Sequence, residues 1–385
     1  MTETVKAYAA QSATSPLTPF SFEYRTPRAD DVVIDILYTG VCHSDLHTAR
    51  NDWGGTIYPV VPGHEIVGRV RSVGANVSKF KAGDLVGVGC LVDSCRHCEP
   101  CKHDLEQYCE NGFVATYSSI DKHDGQPTYG GYAKTITVSD AFVLKVPENL
   151  DTKAVPPILC AGITTWSPLC HWNIGKGSKV AVIGLGGLGH MAIKLAHALG
   201  AEVTLFSRSP GKTADAKRLG AHNVVISTDA AQMQSVANQF ELIIDTVPYA
   251  HDVNPYIPTL KLDGTLVYVG LLGEVTPPLN TVPMILGRRT VAGSLIGGIK
   301  ETQELLDFCG EHNITADVEM INMADINAAY ERMLKSDVKY RFVIDIATLK
   351  SVLPLREKPA QAGFLASRKL PSGINTGFAG SRQAG

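Results

Sequence analysis

The chain has 385 residues, 44% hydrophobic and 19% charged, which is typical of a globular protein with room for two domains. Its 35 Lys and Arg against 38 Asp and Glu leave a net charge of −3, which argues against nucleic acid or an anionic membrane as partner. The N-terminus lacks an apolar leader and no long apolar run occurs, so a cytoplasmic location is expected. The nine cysteines are then more consistent with metal binding than with disulfides.

Residues 1–150 are predicted to form a β-rich domain. Short alternating or β-branched runs at 31–38, 66–73 and 85–90 are separated by turns that contain Gly or Pro.

A candidate metal site combines Cys42, His64 and Cys160. Two thiolates and one imidazole form a Cys₂His set, which binds zinc and leaves a fourth position open for water or substrate. The alternative is two buried apolar cysteines and a hydrogen-bonded core histidine. The further motifs of the chain favour the metal site.

A second cysteine cluster has the spacing C-x₂-C-x₂-C-x₇-C and comprises Cys95, Cys98, Cys101 and Cys109. Two-residue gaps let neighbouring thiolates converge on one ion, and four sulfurs complete a tetrahedral shell with no open position. The spacing predicts a structural zinc site. A metal-free loop and an iron–sulfur cluster are the alternatives, although the order of the spacings differs from that of ferredoxins.

The pattern changes at residue 179, where an apolar strand leads into G-x-G-x-x-G (Gly184, Gly186, Gly189) and then a helical period. Such a turn lets the backbone approach a pyrophosphate, which the free N–H groups of the helix N-terminus bind. With further strands predicted at 202–206, 223–226, 242–246, 265–269 and 290–296, the segment indicates a doubly wound parallel sheet.

The end of the second strand of this sheet indicates which dinucleotide binds. An NAD site carries Asp or Glu there, whereas this chain has Ser207, Arg208 and Ser209, with Lys212 close by. A guanidinium can bind a 2′-phosphate through two parallel hydrogen bonds, so we expect NADP(H). The alternative is that Arg208 and Lys212 form an ordinary solvent-exposed surface and bind no phosphate.

The last part of the chain is predicted to contain helices at 300–309 and 324–334 and a strand at 340–345. Residues 351–385 are rich in Gly, Ala, Ser, Pro and basic residues and show no sustained hydrophobic periodicity. They are predicted to be a disordered tail.

Together these motifs resemble the zinc-dependent medium-chain alcohol dehydrogenases, and especially the bacterial NADP-dependent aldehyde reductases of the cinnamyl alcohol dehydrogenase group. The resemblance implies an α/β fold, with a GroES-like β-rich catalytic domain and a doubly wound Rossmann domain. It places the catalytic domain at 1–150, the NADP-binding domain at 151–298 and a return to the catalytic domain at 299–350.

The resemblance also assigns roles around the metal. It implies that Cys42, His64 and Cys160 are catalytic zinc ligands, with Glu65 beside them, and that Asp45 orients the ligand histidine. Ser44 would hydrogen-bond the substrate oxygen and His47 would carry the proton outward. Cofactor contacts are expected at Thr164, Gly184, Leu185, Gly186, Gly187, Leu188, Gly189, Ser207, Arg208, Ser209, Lys212, Thr246, Gly270, Ser294, Leu295 and Ile296.

The function expected from these residues is reversible, NADP(H)-linked reduction of aldehydes, aromatic ones included, to primary alcohols, with one catalytic and one structural zinc ion. A polyol or secondary-alcohol dehydrogenase, or a non-catalytic protein that binds zinc and NADPH, are the alternatives. The resemblance further implies a homodimer, and the apolar 291–296 run is typical of a sheet edge that could form its interface.

Overall fold

Two large β-sheets position the functional residues, one of seven strands and one of six. The computed structural model describes residues 4–23, 25–270 and 273–349, and the predicted tail at 351–385 lies outside these residues. No helix within the described ranges is long and apolar enough to cross a membrane. The nine cysteines all fall within those ranges and are unpaired.

The N-terminal part is β-rich, as predicted. Its elements are β1 (Thr4–Ala9), β2 (Thr18–Glu23), β3 (Asp31–Val41), α1 (His43–Ala49), β4 (Ile66–Val73), β5 (Leu85–Val88), β6 (Leu91–Asp93), α2 (Glu99–Lys102), β7 (Val114–Ala115), β8 (Thr135–Ser139) and β9 (Leu144–Lys145). The long strand β3 pairs with both β4 and β8 and delivers the chain to α1. Strand β5 ends two residues earlier than predicted.

The middle part is an alternating α/β unit. Its elements are α3 (Ala161–His171), β10 (Lys179–Ile183), α4 (Gly187–Ala198), β11 (Glu202–Ser207), α5 (Thr213–Leu219), β12 (Asn223–Ile226), α6 (Ala230–Ser235), β13 (Phe240–Asp245), β14 (Leu260–Tyr268), α7 (Thr281–Gly287) and β15 (Thr290–Gly293). All six strands are parallel, in the order β12-β11-β10-β13-β14-β15. This is the doubly wound order of a Rossmann sheet, which the sequence predicted.

Several strand boundaries of this sheet differ from the prediction by one or two residues, and two differ by more. Strand β14 begins at Leu260 because that residue pairs with Phe240 across a register shift. Strand β15 ends at Gly293 rather than at Ile296, whose φ of 35° is incompatible with an extended strand.

The chain then returns to the seven-stranded sheet through α8 (Ile299–His312), β16 (Val318–Asn322), α9 (Ile326–Leu334) and β17 (Arg341–Asp345). Strand β17 inserts between β16 and β3. The seven-stranded sheet therefore contains residues from both ends of the described chain. The exact domain boundaries at 150 and 298 stay predictions.

A shared hydrophobic core joins the two sheets. It contains Val67 and Leu85 of the seven-stranded sheet, Leu159 before α3, Ile193 of α4 and Leu305 of α8, all buried. Because the segment that ends at Cys160 packs in this core, Cys160 is held between the two parts.

Candidate active site

Three elements bring the Cys₂His residues together. Cys42 follows β3 and precedes α1, His64 lies just before β4, and Cys160 precedes α3. The Sγ atoms of Cys42 and Cys160 are 3.9 Å apart, and Nε2 of His64 lies 3.2 Å from Cys160 Sγ. With Glu65 included, one ligand atom from each of the four buried residues lies within 4.8 Å of the others.

The chemistry of this set fits a zinc ion, because thiolate, imidazole and carboxylate are the donors that zinc takes in proteins. Burial raises the pKa of Glu65, and the guanidinium of Arg341, which forms an ion pair with Glu65 Oε1, opposes that shift. The other oxygen, Glu65 Oε2, is buried without a hydrogen-bond partner among the described residues. A cation at this set would satisfy that oxygen.

The fully buried carboxylate of Asp45 orients two of the ligands. Oδ1 lies 3.1 Å from His64 Nδ1 and accepts the backbone N–H of Gly63 at 3.0 Å. Oδ2 accepts the backbone N–H of Cys42 at 2.8 Å and the Tyr132 hydroxyl at 3.3 Å. A proton on His64 Nδ1 leaves Nε2 free to face Cys160, so Asp45 sets the tautomer that a ligand histidine needs.

Helix α1 carries the two residues expected to handle the proton. Ser44 lies in its first turn, with Oγ 3.6 Å from Cys42 Sγ. One turn later, His47 Nδ1 lies 2.7 Å from Asp52 Oδ2, and its ring packs 5.3 Å from that of Trp53. His47 and Asp52 are both partly exposed, so the pair can exchange protons with solvent.

The second cysteine cluster forms a separate site, which we call the Cys₄ lobe (residues 95–109). Its four sulfurs lie within 4.8 Å of one another, with 3.9 Å between Cys98 and Cys109. Backbone N–H groups of Cys98 and Cys95 point to the sulfurs of Cys95 and Cys109 at 3.3 and 3.4 Å. Four converging cysteine sulfurs fit a closed structural zinc site.

The glycine-rich turn joins β10 to α4. Gly184 has a φ of 90°, and a Cβ at Gly189 would lie 2.1 Å from the carbonyl oxygen of Gly184. These two positions therefore require glycine. A Cβ at Gly186 would meet nothing within 4 Å, which leaves open space beside the turn for a ligand. Leu185 is buried and Leu188 partly buried.

Two cations lie beyond this turn, at the end of β11. Arg208 and Lys212 are exposed, and Lys212 Nζ donates to the carbonyl oxygen of Leu185 at 3.0 Å. The buried Ser207 donates its hydroxyl to the carbonyl of Ser209 at 2.8 Å, which shapes the loop between the cations. The arrangement provides positive charge next to the turn, as a phosphate site needs.

The other expected cofactor residues lie at the carboxyl ends of strands or near Cys160. Thr164, in the first turn of α3, is buried and donates its N–H to the Cys160 carbonyl at 2.9 Å. The Thr246 hydroxyl donates to Ile183 at 2.8 Å, so it fixes the end of β10. Gly270 follows β14, and the N–H of Ser294 bonds to Tyr268 at 3.0 Å. Leu295 and Ile296 follow β15 after Ser294.

The sequence analysis missed Arg341, which lies between the metal set and the glycine-rich turn. Its guanidinium pairs with Glu65, and its Cδ lies 2.7 Å from where a Cβ of Gly187 would stand. A cavity of about 190 Å³ beside it is lined by His43, Gly187 and Lys212, among others. In the sequence, Arg341 is only a cation at the start of a predicted strand. No sequence pattern predicts that it contacts Glu65 and Gly187.

Two family descriptions match the chain. Residues 28–148 match the alcohol dehydrogenase GroES-like domain, and residues 187–311 match the zinc-binding dehydrogenases. The chain therefore belongs to the zinc-dependent medium-chain alcohol dehydrogenases. Within them it is of the cinnamyl alcohol dehydrogenase type, as the sequence predicted, because solved enzymes of that type are 44 and 46% identical to it over 90% of this chain.

Individual relatives cover nearly the whole described chain. An NADP-dependent alcohol dehydrogenase C of Mycolicibacterium smegmatis is 53% identical over 349 residues, 90% of this chain and 99% of that protein. The aldehyde reductase YahK of Escherichia coli is 52% identical over 346 residues, with the same coverage. The solved cinnamyl alcohol dehydrogenase of Helicobacter pylori, complexed with NADP(H), has a TM-score of 0.84 at 44% identity, covering 90% of this chain and 99% of that one.

We predict that Cys95→Ser removes one of two bound zinc ions and destabilises the protein. Losing a thiolate opens the closed shell of the Cys₄ lobe, so the free energy of unfolding should fall by about 3 kcal/mol. Zinc analysis and thermal unfolding measure both effects. Cys170→Ser, at an exposed cysteine outside both clusters, is the matched control. A Cys95→Ser protein of normal stability and zinc content would contradict the structural site.

Proposed function

We propose that this protein reduces aldehydes to primary alcohols with NADPH, and catalyses the reverse reaction with NADP⁺. The observation that carries the proposal is the position of Arg341, which touches Glu65 of the metal set and Gly187 of the glycine-rich turn. Arg341 therefore links the donor set to the dinucleotide turn. The named activities of the relatives that match 90% of the chain support the same reaction.

We assign the catalytic zinc to Cys42, His64 and Cys160, with Glu65 beside them, and the structural zinc to Cys95, Cys98, Cys101 and Cys109. When bound, the catalytic ion polarises the aldehyde carbonyl and the nicotinamide supplies the hydride. The residues of the chain have to bind these groups, orient them and deliver a proton.

Proton delivery is assigned to α1. Ser44 Oγ donates its proton to the substrate oxygen as negative charge develops there, and His47 restores the proton from the solvent side. The carboxylate of Asp52, whose Oδ2 lies 2.7 Å from Nδ1, orients the His47 ring. Asp45 is assigned an orienting role, because among the described residues its carboxylate hydrogen-bonds to His64, two backbone N–H groups and Tyr132.

Cofactor binding is assigned to the glycine-rich turn and the residues around it. The N-terminus of α4 binds the pyrophosphate, and Arg208 with Lys212 binds the 2′-phosphate that distinguishes NADP(H) from NAD(H). The complex of the Helicobacter pylori relative with NADP(H) supports this choice. Thr164, Thr246, Gly270 and the 294–296 segment are proposed to contact the rest of the cofactor.

A homodimer is also part of the proposal. Strand β15 lies at the end of the six-stranded sheet, and among the described strands it pairs only with β14. Next to it, α7 exposes three apolar side chains, Val282, Ile285 and Leu286, of which Leu286 is 80% exposed. A second copy would pair with the strand edge and bury these side chains, which makes the interface self-complementary.

The unpaired state of all nine cysteines supports a reducing location. We therefore propose that the protein works in the cytoplasm.

We predict that Ser44→Ala lowers kcat for aldehyde reduction about 100-fold, because the substrate oxygen loses its immediate proton donor. The KM for NADPH should stay near the wild-type value. Ser44→Thr keeps the hydroxyl and should retain most activity. Steady-state kinetics with NADPH and a panel of aldehydes, and with NADP⁺ and a panel of polyols, measures this. A Ser44→Ala enzyme within twofold of the wild type would exclude the assigned role.

We predict that Arg208→Glu weakens NADPH binding roughly 50-fold, because a charge-assisted hydrogen bond to the phosphate is lost. NADH binding should change little, since it has no 2′-phosphate. Fluorescence titration with both cofactors measures the difference. Lys217→Glu makes the same charge change on the exposed face of α5 and is the control. Equal losses for both cofactors would show that the phosphate binds elsewhere.

We predict that the double substitution Ile285→Arg and Leu286→Arg converts a dimer into monomers, because two buried cations would face their symmetry mates. Sedimentation velocity at micromolar concentration measures the change. Leu334→Arg, at an exposed leucine of α9, is the control and should leave the dimer intact. A wild-type protein that sediments as a monomer would refute the proposed interface.

A further inference from the structure

The Cys₄ lobe contacts the segment that connects β15 to α8. The Tyr108 hydroxyl accepts the backbone N–H of Leu295 at 3.0 Å, and Glu106 Oε2 accepts the backbone N–H of Ile299 at 3.0 Å. Lys300 Nζ adds an ion pair with Asp104 Oδ2 at 3.3 Å. The lobe therefore holds this segment through two backbone groups and one side chain.

The Cys₄ lobe and the segment that it contacts approach each other closely at Gly298. A Cβ there would lie 1.8 Å from the carbonyl oxygen of Asp104 and 2.8 Å from Glu106 Oε2. Only a glycine permits this approach. The contact is thus a packed junction, in which the position of one backbone determines the position of the other.

The segment held by the lobe is strained. Ile296 has a φ of 35°, a left-handed conformation that β-branched residues rarely adopt. Such a conformation costs free energy and persists only where its neighbours enforce it. The bond from Tyr108 lies one residue before Ile296 and the bond from Glu106 three residues after it, so the lobe restrains the strained residue from both sides.

The residues that make these bonds lie close to proposed zinc ligands, so a bound ion would fix their backbone. Glu106 and Tyr108 lie in a short 3₁₀ turn between Cys101 and Cys109, and Tyr108 directly precedes a ligand. The Tyr108 side chain is 44% exposed, so its place depends on this backbone more than on core packing.

We propose that the Cys₄ lobe positions the cofactor: Tyr108 and Glu106 hold residues 294–299 in the conformation that receives the nicotinamide end of NADPH. The proposal rests on the proposed function, which assigns cofactor contacts to 294–296. Tyr108 and Glu106 are positioning residues, because they touch the backbone of that segment and neither metal set directly. The structural zinc then contributes to cofactor affinity as well as to stability.

The test compares hydroxyl and carboxylate variants in the fully zinc-loaded protein. Tyr108→Phe keeps the ring and removes the acceptor, and we expect the Kd for NADPH to rise about fivefold. Glu106→Ala should act similarly, whereas Glu106→Gln keeps an acceptor oxygen and should restore most of the affinity. Tyr129→Phe removes a hydroxyl in the N-terminal part and should leave the Kd unchanged.

Three measurements separate positioning from a general loss of structure. The Kd is measured by NADPH fluorescence without aldehyde, the zinc content by metal analysis and the Tm by thermal unfolding. Weaker NADPH binding at unchanged zinc content and Tm supports the proposal. Unchanged Kd values in both Tyr108→Phe and Glu106→Ala, or weaker binding that appears only with loss of zinc, would overturn it.

The same data keep this proposal distinct from the proposed function. A wild-type protein that binds NADPH and reduces no aldehyde refutes the function, while the comparison of Kd values still decides the role of the lobe. Normal aldehyde reduction with equal Kd values refutes the role of the lobe alone.

Discussion

The metal set depends on the hydrogen bonds that the buried carboxylate of Asp45 accepts. It accepts hydrogen bonds from the backbone before α1, from the loop before β4, from the His64 ring and from Tyr132. A buried charge is costly unless its oxygens are satisfied, and four donors satisfy this one. Because the donors come from separate segments, satisfying Asp45 brings Cys42 and His64 to the same place.

Much of the fold could be predicted from local pattern. The strand at 66–73 and those at 179–183 and 223–226 have the predicted bounds, because apolar runs between glycine-containing turns have few alternatives. The glycine-rich turn and the four-cysteine spacing are short motifs whose geometry depends on neighbouring residues. The structure places both sets of donor atoms close together.

The contacts that join distant segments could not be predicted. Arg341 and Glu65 are separated by most of the chain, and a cation before an apolar strand usually lies in solvent. Arg341 is buried because β17 pairs with β3, and no local sequence pattern predicts that pairing. The bond between Tyr108 and Leu295 is of the same kind, because it depends on how two loops pack. Ile296 has an ordinary strand-forming side chain, and only its neighbours force the positive φ.

The insertion of β17 between β16 and β3 has a consequence for biosynthesis. The ribosome delivers residues 341–345 only after the whole parallel sheet has emerged, so the nascent chain can complete that sheet while β3 still has an unpaired edge. The half of the protein that is translated first is therefore finished last. Until then the open edge of β3 can pair with other unfinished chains, which favours aggregation.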